Sequence, residues 1–289
     1  MRAVGEETQV SAMTEQPVIP SEGGETVGAD GSPACASAHD VVYAERLEGG
    51  IEVVYLNQPR KKNALSGEMM SKLDGLLRAA DVDDGVRVVV LRGAGTDFSS
   101  GGDLDQGPAL EPGPEGARKT LRRYLAVIRT IRTMAKPVIA MVDGYAVGGA
   151  FALVCASDLV CASERAQFVP AFCQIGIVPE MGMMKLLPDL VGPQRAKELL
   201  FFGGKIPALQ LYDWGVVNRL FPTETLEADT LWFARQLAGM PDASIQLTKN
   251  IMNGLADGNL EACLEAESTA SPFCTTTKAY AATMEKFAR

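Results

Sequence analysis

The sequence predicts an α/β fold, and three observations predict it. Val86–Leu91, apolar but for Arg87, and Pro137–Val142 are runs of strand length with the character expected of strands covered on both faces. Between them lie longer stretches whose apolar side chains recur at helical spacing. From Pro193 onward the helical pattern dominates, with one short strand candidate at Val216–Phe221. Strands alternating with helices imply a largely parallel sheet.

The elements follow in order. Residues 1–38 are rich in Gly, Ser, Pro, Thr and Glu, and six acids (Glu6, Glu7, Glu15, Glu22, Glu25, Asp30) stand against Arg2. Too little apolar surface is available there to offset ordering, so a disordered acidic tail is expected. A core domain over 39–224 begins with the strand-like run Ile51–Leu56, followed by a helical stretch Ser66–Ala80 with Met69, Met70, Leu73, Leu76 and Leu77 in register. Arg118–Ala135 is amphipathic: Leu121, Leu125, Ile128, Ile131 and Ala135 share one side, and five arginines occupy the rest. That basic face is either solvated or attracts a ligand's phosphates. Strands are expected at Asp158–Ala162 and Gln167–Val169, and residues 225–289 read as a helical C-terminal region whose apolar side chains need the main body or another subunit to cover them.

Composition removes several classes of function. The 289 residues carry 36 acids against 27 bases, a net charge of -9, which gives no electrostatic footprint for nucleic acid. The one histidine, His39, lies at the end of the polar tail, so chemistry needing an imidazole base or zinc ligand is disfavoured. The six cysteines form no C-x-x-C pair, and all but Cys35 have apolar neighbours, the pattern of reduced core residues in a cytoplasmic protein. No apolar run reaches the roughly 18 residues of a membrane span. Phosphate-loop, dinucleotide and H-E-x-x-H motifs are absent.

Two glycine clusters remain. Phe98-Ser99-Ser100-Gly101-Gly102-Asp103-Leu104 follows one buried strand, and Asp143-Gly144-Tyr145-Ala146-Val147-Gly148-Gly149 joins another to an apolar helix. Each places small residues where bare backbone N–H groups could meet a ligand. Two opposed donors suit a thioester carbonyl becoming an enolate, and losing one such donor typically costs about two to three orders of magnitude in rate.

Together with Lys62-Asn63-Ala64-Leu65, the stretch from Ala196 to Lys205 and Trp214-Gly215-Val216-Val217-Asn218, these motifs resemble the crotonase, or enoyl-CoA hydratase/isomerase, superfamily from about Val41 to Phe287. The resemblance implies a spiral of ββα units whose helical C-terminal region builds a homotrimer, often paired into a hexamer. It implies an oxyanion hole from the N–H groups of Gly102 and Gly149, and an acyl-CoA site lined by Lys62, Ala64, Leu65, Ser100, Asp103 and Leu104. Read from the residues, Asp103 is a helix N-cap before it is a chemical group. Coenzyme A enters as part of the substrate, and no metal or other cofactor is implied.

Departures from the family pattern narrow the chemistry. Where hydratases of the family carry two glutamates, this chain has Ala152 and Phe172, which cannot position and activate water. Glu180, in Pro179-Glu180-Met181-Gly182, stands in a run from Phe168 to Met184 otherwise apolar but for Gln174. An acid there resembles the base of Δ3-Δ2-enoyl-CoA isomerases. A 1,3 shift needs one base to take a proton from C2 and return it at C4, so a single carboxylate suffices. Burial is expected to raise its pKa and a helix start to lower it, with burial dominating. The alternatives are another crotonase-type reaction, such as hydration or dehydration with a second carboxylate facing the pocket, and a non-catalytic acyl-CoA-binding subunit.

Overall fold

A computed structural model of the chain describes residues 40–105 and 113–256, and beyond them 260, 261, 264, 268, 272, 275, 276, 281 and 284–286. The expected tail over 1–38, with His39, Cys35, Cys263 and Cys274, lies outside the described residues.

A six-stranded sheet runs in the order β1 (Val42–Leu47), β2 (Ile51–Leu56), β3 (Val88–Gly93), β4 (Val138–Val142), β6 (Leu159–Ser163), β9 (Arg219–Phe221). Only the β1–β2 hairpin is antiparallel; the other pairs are parallel. A second sheet joins β5 (Tyr145–Val147), β7 (Gln167–Val169) and β8 (Ile206–Pro207). The central strands are apolar throughout because both faces are covered. Val89, Leu91, Val138, Ala140 and Val142 point into the larger core, whereas Val88, Val90, Ile139 and Met141 point into a smaller one on the opposite face.

The larger core is closed by α1 (Gly67–Val82), α2 (Gly113–Thr133) and α3 (Gly149–Ala156), followed by α4 (Met183–Val191), α5 (Pro193–Phe202) and α6 (Ala208–Asp213). Ser66 starts α1 by accepting a hydrogen bond from Met69 N–H at 3.1 Å. On the other face α7 (Leu226–Ala238) inserts Leu226 and Ala234, and α8 (Asp242–Ala256) follows. No helix among the described residues is long and apolar enough to cross a membrane.

Three strands escape local pattern reading. β1 is an edge strand with one fully buried residue, Val42, and β5 and β8 are only three and two residues long. The cysteine expectation holds for Cys155 and Cys161, which are buried, with burial pushing the Cys161 thiol up to about 11. Cys173 corrects it: its thiol sits on a single 3-10 turn, Cys173–Ile175, and is exposed despite its apolar neighbours.

Candidate active site

Because β2, β3, β4 and β6 run parallel, their carboxyl ends share one edge of the sheet, and the loops leaving that edge converge. The loop after β2 meets the loop after β3 through Leu65 N–H donating to Gly101 O at 2.7 Å and Asp103 N–H to Leu65 O at 3.0 Å. Ser99 in turn pairs with the β5 segment, donating to Tyr145 O at 2.8 Å and accepting from Val147 N–H at 3.1 Å. Gly148 N–H closes the ring on Val169 O at 2.8 Å. Asn63, fully buried, staples the first two loops: Oδ1 accepts from Gln58 N–H, and Nδ2 donates to Ala94 O and Asp97 O.

These loops enclose a cavity of about 480 Å³. Ala117, Leu121 and Tyr124 of α2 line it with Leu65, Phe172, Ile175, Ile177 and Met181, and Pro272 and Thr275 close it from the C-terminal region. The size and apolar lining suit an acyl group bound through a thioester.

The two glycines come together here. A Cβ on Gly101 (φ +86°) would lie 2.5 Å from Val147 O, so only glycine permits the first loop to press against the second. Gly101 O accepts from Leu65, and since the peptide is trans, the N–H of Gly102 points the opposite way. Gly149 is the first residue of α3, where backbone N–H groups have no intrahelical acceptor and the helix dipole favours negative charge. Neither Gly102 N–H nor Gly149 N–H donates to a protein acceptor among the described residues, and both residues line the cavity.

Glu180 lines the same cavity and is partly buried. It does not start a helix: α4 begins at Met183 with Gly182 as its N-cap, so Glu180 sits on the loop before it, its carbonyl accepting from Met183 N–H at 3.1 Å. The next residue, Met181, holds a left-handed backbone (φ +58°) that non-glycine residues rarely adopt. Its sulfur fills the space beside Gly149, where a Cβ would approach it to 2.7 Å. The acid-bearing loop is therefore locked against the start of α3.

Of the other expected site residues, Ala64, Leu65, Ser100, Asp103 and Leu104 line the cavity. Lys62 does not. Its side chain turns to the Tyr145 ring, 5.4 Å from the centroid, and Lys61 lines the cavity in its place. Asp103 caps no helix among the described residues. Its Oδ1 accepts from Asp105 N–H at 2.9 Å, and Oδ2 pairs with Lys61 Nζ at 3.3 Å. Asp103 and Asp105 thus bring two further carboxylates to the cavity wall, both bound to Lys61, whose pKa is raised by the hydrogen bonds to Asp105 and Asp103. Ala152 and Phe172 are buried. The basic side of α2 is divided: Arg122 and Arg123 are exposed, while Arg129 makes a bidentate bond to Glu261 and Arg118 reaches Ser268.

Sequence reading passed over Tyr124. It sits three residues after Leu121 on the apolar stripe of α2, a polar tip among aliphatic neighbours, and its hydroxyl donates to Leu65 O at 2.8 Å. Burial, and then the Glu180 and Asp103 charges, push its pKa well above the usual tyrosine range. The site as a whole sets two bare amide donors and the Glu180 carboxylate in one largely apolar cavity, with Asp103 and Asp105 on its wall paired to Lys61. Such a site can hold a developing oxyanion and exchange a proton on a neighbouring carbon.

The chain belongs to the enoyl-CoA hydratase/isomerase family, whose model matches residues 46–288. Over 223 residues it is 32% identical to 1,2-epoxyphenylacetyl-CoA isomerase of Escherichia coli (strain K12), spanning 76% of this chain and 85% of that protein. Over 221 residues it is 36% identical to 4-chlorobenzoyl coenzyme A dehalogenase-1 of Arthrobacter sp, spanning 75% of this chain and 80% of that one. A solved structure of a monofunctional enoyl CoA isomerase from M. smegmatis superposes with a TM-score of 0.64 at 31% identity, covering 75% of this chain and 93% of that chain. The fold is therefore of crotonase type, and acyl-CoA thioesters are the substrates expected of the family.

Proposed function

We propose that this chain moves a double bond of an enoyl-CoA from position 3 to position 2. In this assignment Glu180 removes a proton from C2 of the bound thioester, and the electrons pass into the carbonyl. The resulting dienolate oxygen rests on the N–H groups of Gly102 and Gly149. Glu180 then returns the proton at C4, leaving the conjugated product and a regenerated carboxylate. The observation that supports it most is that Glu180 shares one largely apolar cavity with both bare amides, while Ala152 and Phe172, where the family resemblance puts the hydratase glutamates, are apolar and buried. Asp103 and Asp105 are poorer partners for water addition because Lys61 already binds both carboxylates. Two of the relatives above are also named as isomerases of CoA thioesters.

Coenzyme A comes as part of the substrate, and the assignment needs no resident cofactor. The exposed apolar side chains Phe201, Phe202, Leu209 and Tyr212 support association with further copies of the chain, which we assign as a homotrimer.

The test is to supply a 3-enoyl-CoA and a 2-enoyl-CoA to the wild type and to Glu180→Gln. Conjugation of the first without hydration of the second, lost in the variant, is the expected result. Hydration of the 2-enoyl thioester would assign the other family chemistry. Binding of both without turnover would make the chain an acyl-CoA-binding subunit.

A further inference from the structure

We propose that Tyr124 is a positioning residue that ties the acyl-pocket helix α2 to the peptide carrying the Gly102 N–H, so that polarisation of a bound thioester carbonyl depends on the tyrosine hydroxyl. The proposal rests on the assignment of Gly102 N–H as an oxyanion donor and adds a residue outside the family motifs.

The chain of contacts is short and fully hydrogen-bonded. Gly102 N–H belongs to the peptide whose carbonyl, Gly101 O, is held by Leu65 N–H at 2.7 Å. The direction of that N–H is therefore set by where Leu65 sits. The Leu65 carbonyl accepts two donors, Asp103 N–H at 3.0 Å and the Tyr124 hydroxyl at 2.8 Å. The first lies on the same loop as Gly102, so it moves with it; the second comes from α2 and adds the tie between that helix and the pair. Tyr124 is 3% exposed, and removing its hydroxyl leaves Leu65 O one donor short. Its raised pKa, from burial and the Glu180 and Asp103 charges, keeps the proton on the phenol and the donor in place through the working pH range.

The same helix face carries Ala117 and Leu121 into the cavity. An acyl chain packing there presses on α2, and through Tyr124 on the oxyanion peptide. Turnover, more than binding, is then the quantity that the hydroxyl controls.

The test uses the full chain and hexanoyl-CoA labelled with carbon-13 at the carbonyl, whose stretching band reports polarisation directly. Bound to the wild type and to Glu180→Gln, the band is expected to move to lower frequency. In Tyr124→Phe, which keeps the ring and its packing, the shift falls to less than about half, while the Kd stays within about threefold. With a 3-enoyl-CoA, kcat of the same variant is expected to fall about tenfold with KM nearly unchanged, the pattern of an interaction made in the transition state. A full wild-type band shift in Tyr124→Phe overturns the role of Tyr124. A wild type that shifts the band but does not isomerise leaves Tyr124 standing and removes only the 3-to-2 assignment. A wild type with no band shift overturns the oxyanion assignment and the proposal with it.

Discussion

Asp143, at the carboxyl end of β4, accepts from Gly144 N–H at 2.9 Å and Ser163 Oγ at 2.7 Å, and from Arg165 at 2.8 and 2.6 Å. Burial pushes its pKa up, but the Arg165 and Ser163 bonds, the Arg165 charge and the Gly144 N–H together outweigh it, so the carboxyl lies below its ordinary value of 3.8. A depressed folded pKa gives stability that is present above 3.8 and lost as pH falls through the folded value. Asp143→Asn is therefore expected to cost about 1–3 kcal/mol at neutral pH, with the gap to wild type narrowing below 3.8 in denaturant unfolding at each pH. At Gly149 the constraint is space: a methyl there would lie 2.7 Å from the Met181 sulfur, so Gly149→Ala makes that side chain repack beside Glu180, with an expected loss of about tenfold or less in turnover. Residues of this kind differ in legibility. Glu180 stands out in the sequence as the one acid in an apolar run, and it does line the cavity, but its role as base comes from the family resemblance. Tyr124 does not stand out, because its acceptor is a backbone carbonyl 59 residues away.

Among the elements, those whose signal is local were found close to their bounds. Ile51–Leu56 matches β2 at both ends, and the helix read from Ser66 begins with that serine as its cap. β5 and β8 carry no such signal, since they exist through pairing with β7 rather than through any periodicity of their own. The seating of α8 is likewise a tertiary matter. Lys249 on that helix donates to Asp158 at 2.7 Å and to Lys136 O at 2.9 Å, with both charged groups largely buried. Burial pushes Asp158 up and Lys249 down, each opposed by the partner's charge. Lys249→Met leaves the Asp158 carboxylate buried without its cation and is expected to cost about 3–5 kcal/mol, and adding Asp158→Asn is expected to recover part of it. Equilibrium unfolding of the single and double variants measures both. A double variant as unstable as the sum of the singles would remove the pairing.

For the whole molecule, the sequence conveyed the layered α/β plan because both faces of the central strands are covered, a property written into Val88–Leu91 and Val138–Val142. That the two glycine motifs could meet was suggested by their place at strand ends, and their contact in the fold follows from parallel strand order. Apolar side chains are left exposed on α5 to α8, among them Phe202 at 77% and Trp232 at 55%, a surface suited to contact with another chain. Light scattering is expected to give a mass of three 30.7 kDa chains or a multiple of three, lowered by Phe202→Glu if that residue lies at the subunit contact; a monomeric wild type would contradict the homotrimer. The central claim, that the Glu180 carboxylate moves the proton, is tested most directly by turnover of a 3-enoyl-CoA deuterated at C2. The wild type is predicted to show a primary isotope effect, with Glu180→Gln slower by about two orders of magnitude or more while still binding the thioester. Conversion by Glu180→Gln at the wild-type rate would contradict it.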